Sequence, residues 1–114
     1  MNAAAVLVAE RARALAQIAT LTGDLDELIA ASESSNADDE HDPEGATIAF
    51  ERAQLTALLA QARRRLADVE DALQQVTDGG YGRCVTCGKQ IGADRLAARP
   101  ASRTCICCAS QASR

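Results

Sequence analysis

Cys84-Val-Thr-Cys-Gly-Lys-Gln-Ile-Gly-Ala-Asp-Arg-Leu-Ala-Ala-Arg-Pro-Ala-Ser-Arg-Thr-Cys-Ile-Cys-Cys108 carries Cys84, Cys87, Cys105 and Cys108 as C-x2-C-x17-C-x2-C. Each C-x-x-C pair can turn two sulfurs inward from a tight knuckle. Two knuckles supply the four-thiolate shell that Zn²⁺ takes in structural sites. A disulfide framework or a redox C-x-x-C are the other uses of such cysteines, and the first suits a secreted chain. A fifth thiol, Cys107, lies inside the second knuckle; Cys105 and Cys108 keep the two-residue gap, so Cys107 reads as a spare. The segment has little else to hold it. Phe50 and Tyr81 are the only aromatic residues in the chain, and a bound metal fixes a small segment that burial alone would leave loose.

The surrounding composition points to helices. The hydrophobic fraction is 47% of 114 residues, mostly alanine and leucine, with 2% aromatics. This suits long helices meeting along a narrow seam better than a globular core. The N-terminal stretch lacks a basic start, and its apolar run is too short for a signal peptide or a membrane span. Metal-type cysteine spacing then makes a reducing cytoplasm the expected compartment.

Two heptad runs precede the cysteines. Leu7, Arg11, Ala14, Ile18, Leu21, Leu25 and Leu28 step by four and three, apolar except at Arg11. Ile48, Arg52, Leu55, Leu59, Ala62, Leu66, Val69, Leu73 and Val76 do the same, apolar except at Arg52. Both are coiled-coil seams. Folding back as an antiparallel hairpin satisfies both within one chain, with arms of about 28 residues and roughly 42 Å. Self-association of two chains is the competing solution. The expected fold is thus mainly α: a long antiparallel two-helix coiled-coil hairpin over 1–79, with a four-cysteine zinc finger and short tail over 80–114.

The joint falls in a polar stretch over 32–45. Asp42-Pro43-Glu44 reads as a helix start, with Asp42 as cap, Pro43 at the first helical position and Glu44 at the positive helix end. Gly23 should bend or fray the first helix, at a cost of about 1 kcal/mol against alanine. Gly79-Gly80 should stop the second. The net charge of −4 is unevenly spread: residues 32–45 carry −6 and residues 79–114 carry +5. An acidic turn and a basic finger can orient docking on a charged partner.

Tyr81-Gly-Arg-Cys-Val-Thr-Cys-Gly-Lys-Gln-Ile-Gly-Ala-Asp-Arg-Leu-Ala-Ala-Arg-Pro100, followed by Cys105-Ile-Cys-Cys108, resembles the DksA/TraR family of zinc-finger regulators of bacterial RNA polymerase. The shared pattern is G-Y-G-x-C-x-x-C-G-x-x-I-x-x-x-R-L-x-A-x-P and then C-x-x-C, over about 30 residues, and the heptad hairpin is what that family's architecture requires. The resemblance implies a transcription regulator that binds RNA polymerase directly, without reading a DNA sequence. Its coiled coil would enter the secondary channel, where acidic tip residues approach the catalytic region and change initiation, often together with ppGpp.

Carried over residue by residue, the resemblance gives Cys84, Cys87, Cys105 and Cys108 as structural zinc ligands. The family's tip commonly shows Asp-x-x-Asp-x-Ala. Counted back without gaps from the first cysteine, those positions fall at His41, Glu44 and Ala46; a shift pairs Asp39 with Asp42 but loses the alanine spacing. Asp39, Asp42, Glu44 and Ala46 are therefore the candidate partner-binding residues of the tip, and Arg95 and Arg99 candidate finger contacts. Basic residues that contact ppGpp in the best-known member fall at Gln61, Asp68 and Ala109, none of them basic, with Arg99 alone matching, so a ppGpp response through such a site is not expected. Tyr81, Ile91 and Leu96 are expected to pack the finger, and Gly82 and Gly88 to serve its turns.

A zinc-ribbon nucleic-acid binder and a metal-stabilised coiled-coil adaptor are the alternative readings. The first is opposed by the net negative charge and the scarcity of stacking aromatics; the second would dimerise, where the hairpin is expected to be a monomer. An enzyme is not expected. One histidine, no arguable nucleophile–base pair and cysteines committed to metal leave no catalytic residue to name.

Overall fold

A computed structural model describes residues 2–35 and 43–112. Four helices follow in order: α1 (Ala3–Ser35), α2 (Pro43–Asp78), α3 (Ala93–Ala98) and α4 (Ile106–Ala112). Among the described residues the only strand-like pairing is an isolated antiparallel bridge between Arg83 and Gln90. The fold is mainly α, two long antiparallel helices followed by the four-cysteine segment.

Both helices begin and end for local reasons. Asn2 caps α1: its Oδ1 accepts from the backbone N–H of Ala4 at 3.1 Å and Ala5 at 3.4 Å, satisfying donors that the first turn leaves open. α2 starts at Pro43, whose missing N–H costs nothing at that position. It ends on the two glycines. Gly79 takes a φ of 84°, and Gly80 N–H donates back to Gln75 carbonyl at 2.9 Å, the six-to-one bond of a Schellman stop. As expected, the chain does not break at Gly23, and α1 runs through it. Leu21 and Leu25, on either side of it, both pack into the helix seam. Each buried leucine contributes roughly 1.5–3 kcal/mol, more than the glycine removes.

The chain divides into two compact units, one of residues 1–13 with 65–114 and one of residues 14–64. In the second, Leu21, Leu59 and Ala62 are buried, with Ile18, Leu25 and Leu55 packed against them. These are the seam positions of the two heptad runs, and the unit is held by that seam. In the first unit, Leu7, Val69 and Ala72 are buried, joined by Leu73, Val76, Tyr81 and Ala101. Here finger residues complete a core that the helix ends begin.

The polar seam positions stay wet. Arg11 is exposed, with its Nε 4.0 Å from a Glu70 carboxylate oxygen, and Arg52 is exposed on α2. No described helix is long and apolar enough to cross a membrane.

Candidate metal centre

The four cysteines of the C-x2-C-x17-C-x2-C pattern converge. Their sulfur atoms all lie within 4.8 Å of one another, and Cys87 Sγ is 3.8 Å from Cys105 Sγ. A tetrahedron of thiolates at about 2.3 Å from Zn²⁺ has sulfur–sulfur edges of about 3.8 Å, whereas a disulfide would bring two sulfurs to about 2.0 Å. All five cysteines are free thiols. The donor set and its spacing fit a four-coordinate metal.

The first knuckle is shaped by its backbone. Gly88 N–H donates to Cys84 carbonyl at 2.9 Å and Cys84 N–H to Lys89 carbonyl at 2.8 Å, closing the turn that carries Cys84 and Cys87. Gly82 and Gly88 have φ of 86° and 77°, a left-handed backbone that side-chain-bearing residues resist. Ile91 N–H then returns to Gly82 carbonyl at 2.7 Å. The second knuckle is a helix start: Cys105 directly precedes α4, and Ala109 N–H donates to its carbonyl at 2.9 Å.

Protons are held unevenly within the cluster. Hydrogen bonding from the Cys87 backbone and then the Cys105 backbone lowers the Cys84 thiol to about 6, against the opposing effect of its burial. The Cys108 backbone lowers Cys105 in the same way. Cys108 is pushed up to about 12, first by its hydrogen bond with the Cys105 side chain. The knuckle amides thus favour sulfur anions, and a metal cation supplies the positive charge that a full set of four requires.

A small set of contacts fastens the finger. Tyr81 is half-buried against Leu7, Val69 and Ala72, and its hydroxyl donates to Pro100 carbonyl at 2.8 Å; burial raises its phenol above the usual value. Ile91 is buried, and Leu96 Cδ1 reaches the space beside Gly82, 3.4 Å from where a Cβ would stand. Tyr81 packs against the long helices as expected. Arg103 was not legible as a site residue. Its carbonyl accepts from Val85 N–H at 2.9 Å, and its side chain reaches the Asp71 carboxylate on α2 at 3.5 Å.

Residues 79–114 match the family model for the prokaryotic dksA/traR C4-type zinc finger. The chain is 41% identical over 46 residues to the RNA polymerase-binding transcription factor DksA of Escherichia coli K12, spanning 40% of this chain and 30% of that protein. It is 38% identical over 69 residues to the uncharacterized protein YteA of Bacillus subtilis, spanning 60% of this chain and 29% of that one. The matched segments thus cover under a third of these relatives. The solved structure of transcription factor DksA2 from Pseudomonas aeruginosa superposes over 97% of this chain and 80% of its own, with a TM-score of 0.78 and 25% identity. Residues 79–114 thus carry the finger of the DksA/TraR family, and the fold of the chain is like that of DksA2.

Of the tip candidates that the DksA/TraR resemblance selects, Asp39 and Asp42 lie outside the described residues, as does His41. Glu44 and Ala46 stand at the start of α2, and Ala46 is exposed. The two finger arginines differ. Arg95 is half-buried, and its Nε donates to Thr104 carbonyl at 2.9 Å, a bond that braces the run into the second knuckle. Arg99 is exposed at the end of α3, where its backbone N–H caps the helix on Arg95 carbonyl at 2.7 Å. Gln61 and Asp68 are exposed, and Ala109 is half-buried.

Proposed function

We propose that this chain binds bacterial RNA polymerase directly and modulates transcription initiation, its coiled-coil tip entering the secondary channel with Asp39, Asp42, Glu44 and Ala46 as the contacting residues. The observation that carries this reading is the likeness to DksA2 over 97% of the chain, joined to a family-specific finger at residues 79–114. Relatives named for binding RNA polymerase share that finger. The −6 charge carried by residues 32–45 suits approach to a metal-bearing catalytic centre.

Cys84, Cys87, Cys105 and Cys108 hold a structural Zn²⁺ in this reading, and a closed four-thiolate shell leaves no position for a substrate. The protein acts as a cytoplasmic monomer and not as a catalyst. Arg95 and Arg99 remain candidate finger contacts, with Arg99 the more available of the two. No sequence-specific DNA contact is part of the mechanism. With Gln61, Asp68 and Ala109 at the family's basic positions, regulation proceeds without a ppGpp site of that kind.

The test is binding to core polymerase together with initiation in vitro, with and without ppGpp, comparing wild type with Asp42→Asn/Glu44→Gln. Wild type should bind and alter initiation equally with or without ppGpp, and the double variant should bind yet lose the effect. Absence of binding by wild type sinks the proposal.

A further inference from the structure

The two knuckles are held by unequal means. The first closes on its own backbone, through Gly88 N–H to Cys84 carbonyl and Cys84 N–H to Lys89 carbonyl, and Cys84 is buried. The second has a helix only on its far side, where α4 starts at Ile106. On its near side, residues 102–104 belong to no helix or strand, and Cys105 is half-buried. Seventeen residues separate Cys87 from Cys105. Closing that loop costs chain entropy, which falls on the metal bonds unless the loop is already fixed.

Side chains do the fixing. Arg95, half-buried on α3, donates from Nε to the Thr104 carbonyl at 2.9 Å. The Ser102 hydroxyl donates to the same oxygen at 3.3 Å, and the Arg103 carbonyl beside it accepts from Val85 N–H at 2.9 Å. The Thr104 carbonyl shares one rigid peptide plane with the amide nitrogen and Cα of Cys105. A donor that clamps this oxygen therefore fixes the plane from which the Cys105 side chain starts. Of the two donors, Arg95 is charged, which makes its bond the stronger, and it alone comes from another element. α3 has no buried residue of its own, and Arg95 makes no ion pair among the described residues. The bond to Thr104 is what this short helix gives the second knuckle.

We propose that Arg95 is a positioning residue for the metal, holding the Thr104 carbonyl so that Cys105 and the second knuckle stand ready to ligate. Metal release then begins at Cys105 and Cys108, and α3 sets how easily it begins. The inference rests on the reading of the four cysteines as a zinc centre and is independent of polymerase binding.

The experiment uses the full-length protein loaded with zinc, or with Co²⁺, whose visible absorption reports a tetrahedral thiolate site. Arg95→Met keeps the aliphatic stem and removes the donor; it should bind zinc roughly ten- to hundredfold more weakly, the usual cost of losing a group that orients a ligand. Arg95→Lys, which restores a cationic donor, should fall between the two. As a chelator withdraws the metal, iodoacetamide labelling mapped by mass spectrometry should reach Cys105 and Cys108 before Cys84 and Cys87, by a wider margin in Arg95→Met than in wild type. If the methionine variant takes up no metal, the lysine variant decides by the same two measurements. Wild-type affinity in both variants overturns the proposal. Weaker binding with all four cysteines labelled together overturns it too, since that marks a general loosening of the finger. A wild-type protein that lacks the tetrahedral Co²⁺ absorption overturns the zinc centre itself, and the role of Arg95 with it.

Discussion

The same two helices are held in two different ways. In the unit of residues 14–64, Leu21, Leu59 and Ala62 are buried among Ile18, Leu25 and Leu55, all placed by heptad spacing and all supplied by the helices. In the unit of residues 1–13 and 65–114, the buried helix residues are Leu7, Val69 and Ala72. Two of their neighbours, Tyr81 and Ala101, come from the finger, where four cysteines converge. One region is therefore organised by apolar burial distributed along a seam, the other by burial against a loop that carries four convergent cysteines. Stability in the first should respond to side-chain volume and in the second to metal.

Removal of zinc with a strong chelator should have the largest effect. Structural zinc in finger peptides is worth about 10–16 kcal/mol at neutral pH. Hydrogen exchange on the metal-free protein should show loss of protection across residues 80–112, with amides around Leu21 and Leu59 still protected. Equal loss in both units would abolish the distinction. Acidification should act in the same direction, because protons compete with the metal for the cysteine thiolates.

Leu59→Ala probes the other side. Leu59 is 5% exposed, and truncating a buried leucine costs about 2–5 kcal/mol. Thermal or urea unfolding should register that loss, with the low end expected for a seam only two helices thick. Zinc affinity of the folded protein should stay within twofold of wild type. A large fall in zinc affinity would show that the two regions are energetically one.

The smallest effect falls where the regions' chemistries meet within the finger's own unit. Tyr81→Phe keeps the ring against Leu7, Val69 and Ala72 and removes only the hydroxyl that donates to Pro100 carbonyl. A loss of about 1 kcal/mol is expected, measured by denaturant unfolding of the zinc-loaded protein. A far larger loss would mean that the bond to Pro100, more than the ring's burial, seats the finger.

Much of this architecture was written into residue spacing. The heptads picked out Leu7, Ala14, Leu21, Leu59, Ala62 and Val69, all now buried, because a two-helix seam is a local rule repeated. The cysteine spacing picked out all four converging sulfurs, since metal geometry tolerates few other arrangements. Ala72 escaped because it lies three residues past Val69, one step off the strict seam, where the widened stripe serves the finger. Arg103 escaped because its role depends on a backbone carbonyl and on a carboxylate far away in the chain, neither of which has a sequence signature. Arg95 reads from sequence as an exposed cation, yet its Nε is committed to Thr104, an outcome set by how α3 lies on the loop that follows it.

Leu7 is fully buried beside Val69 and Ala72, with Ala101 completing the surround. It is therefore made well before the residues that finish covering it. At about 5–20 residues per second, the ribosome delivers Ala101 roughly five to twenty seconds after Leu7. The leucine pairs around Leu21 and Leu59 can meet well before that, so the hairpin would zip from its middle while the start of α1 waits with its apolar face open. Closure around Leu7 then waits for the segment that carries Tyr81 and Ala101.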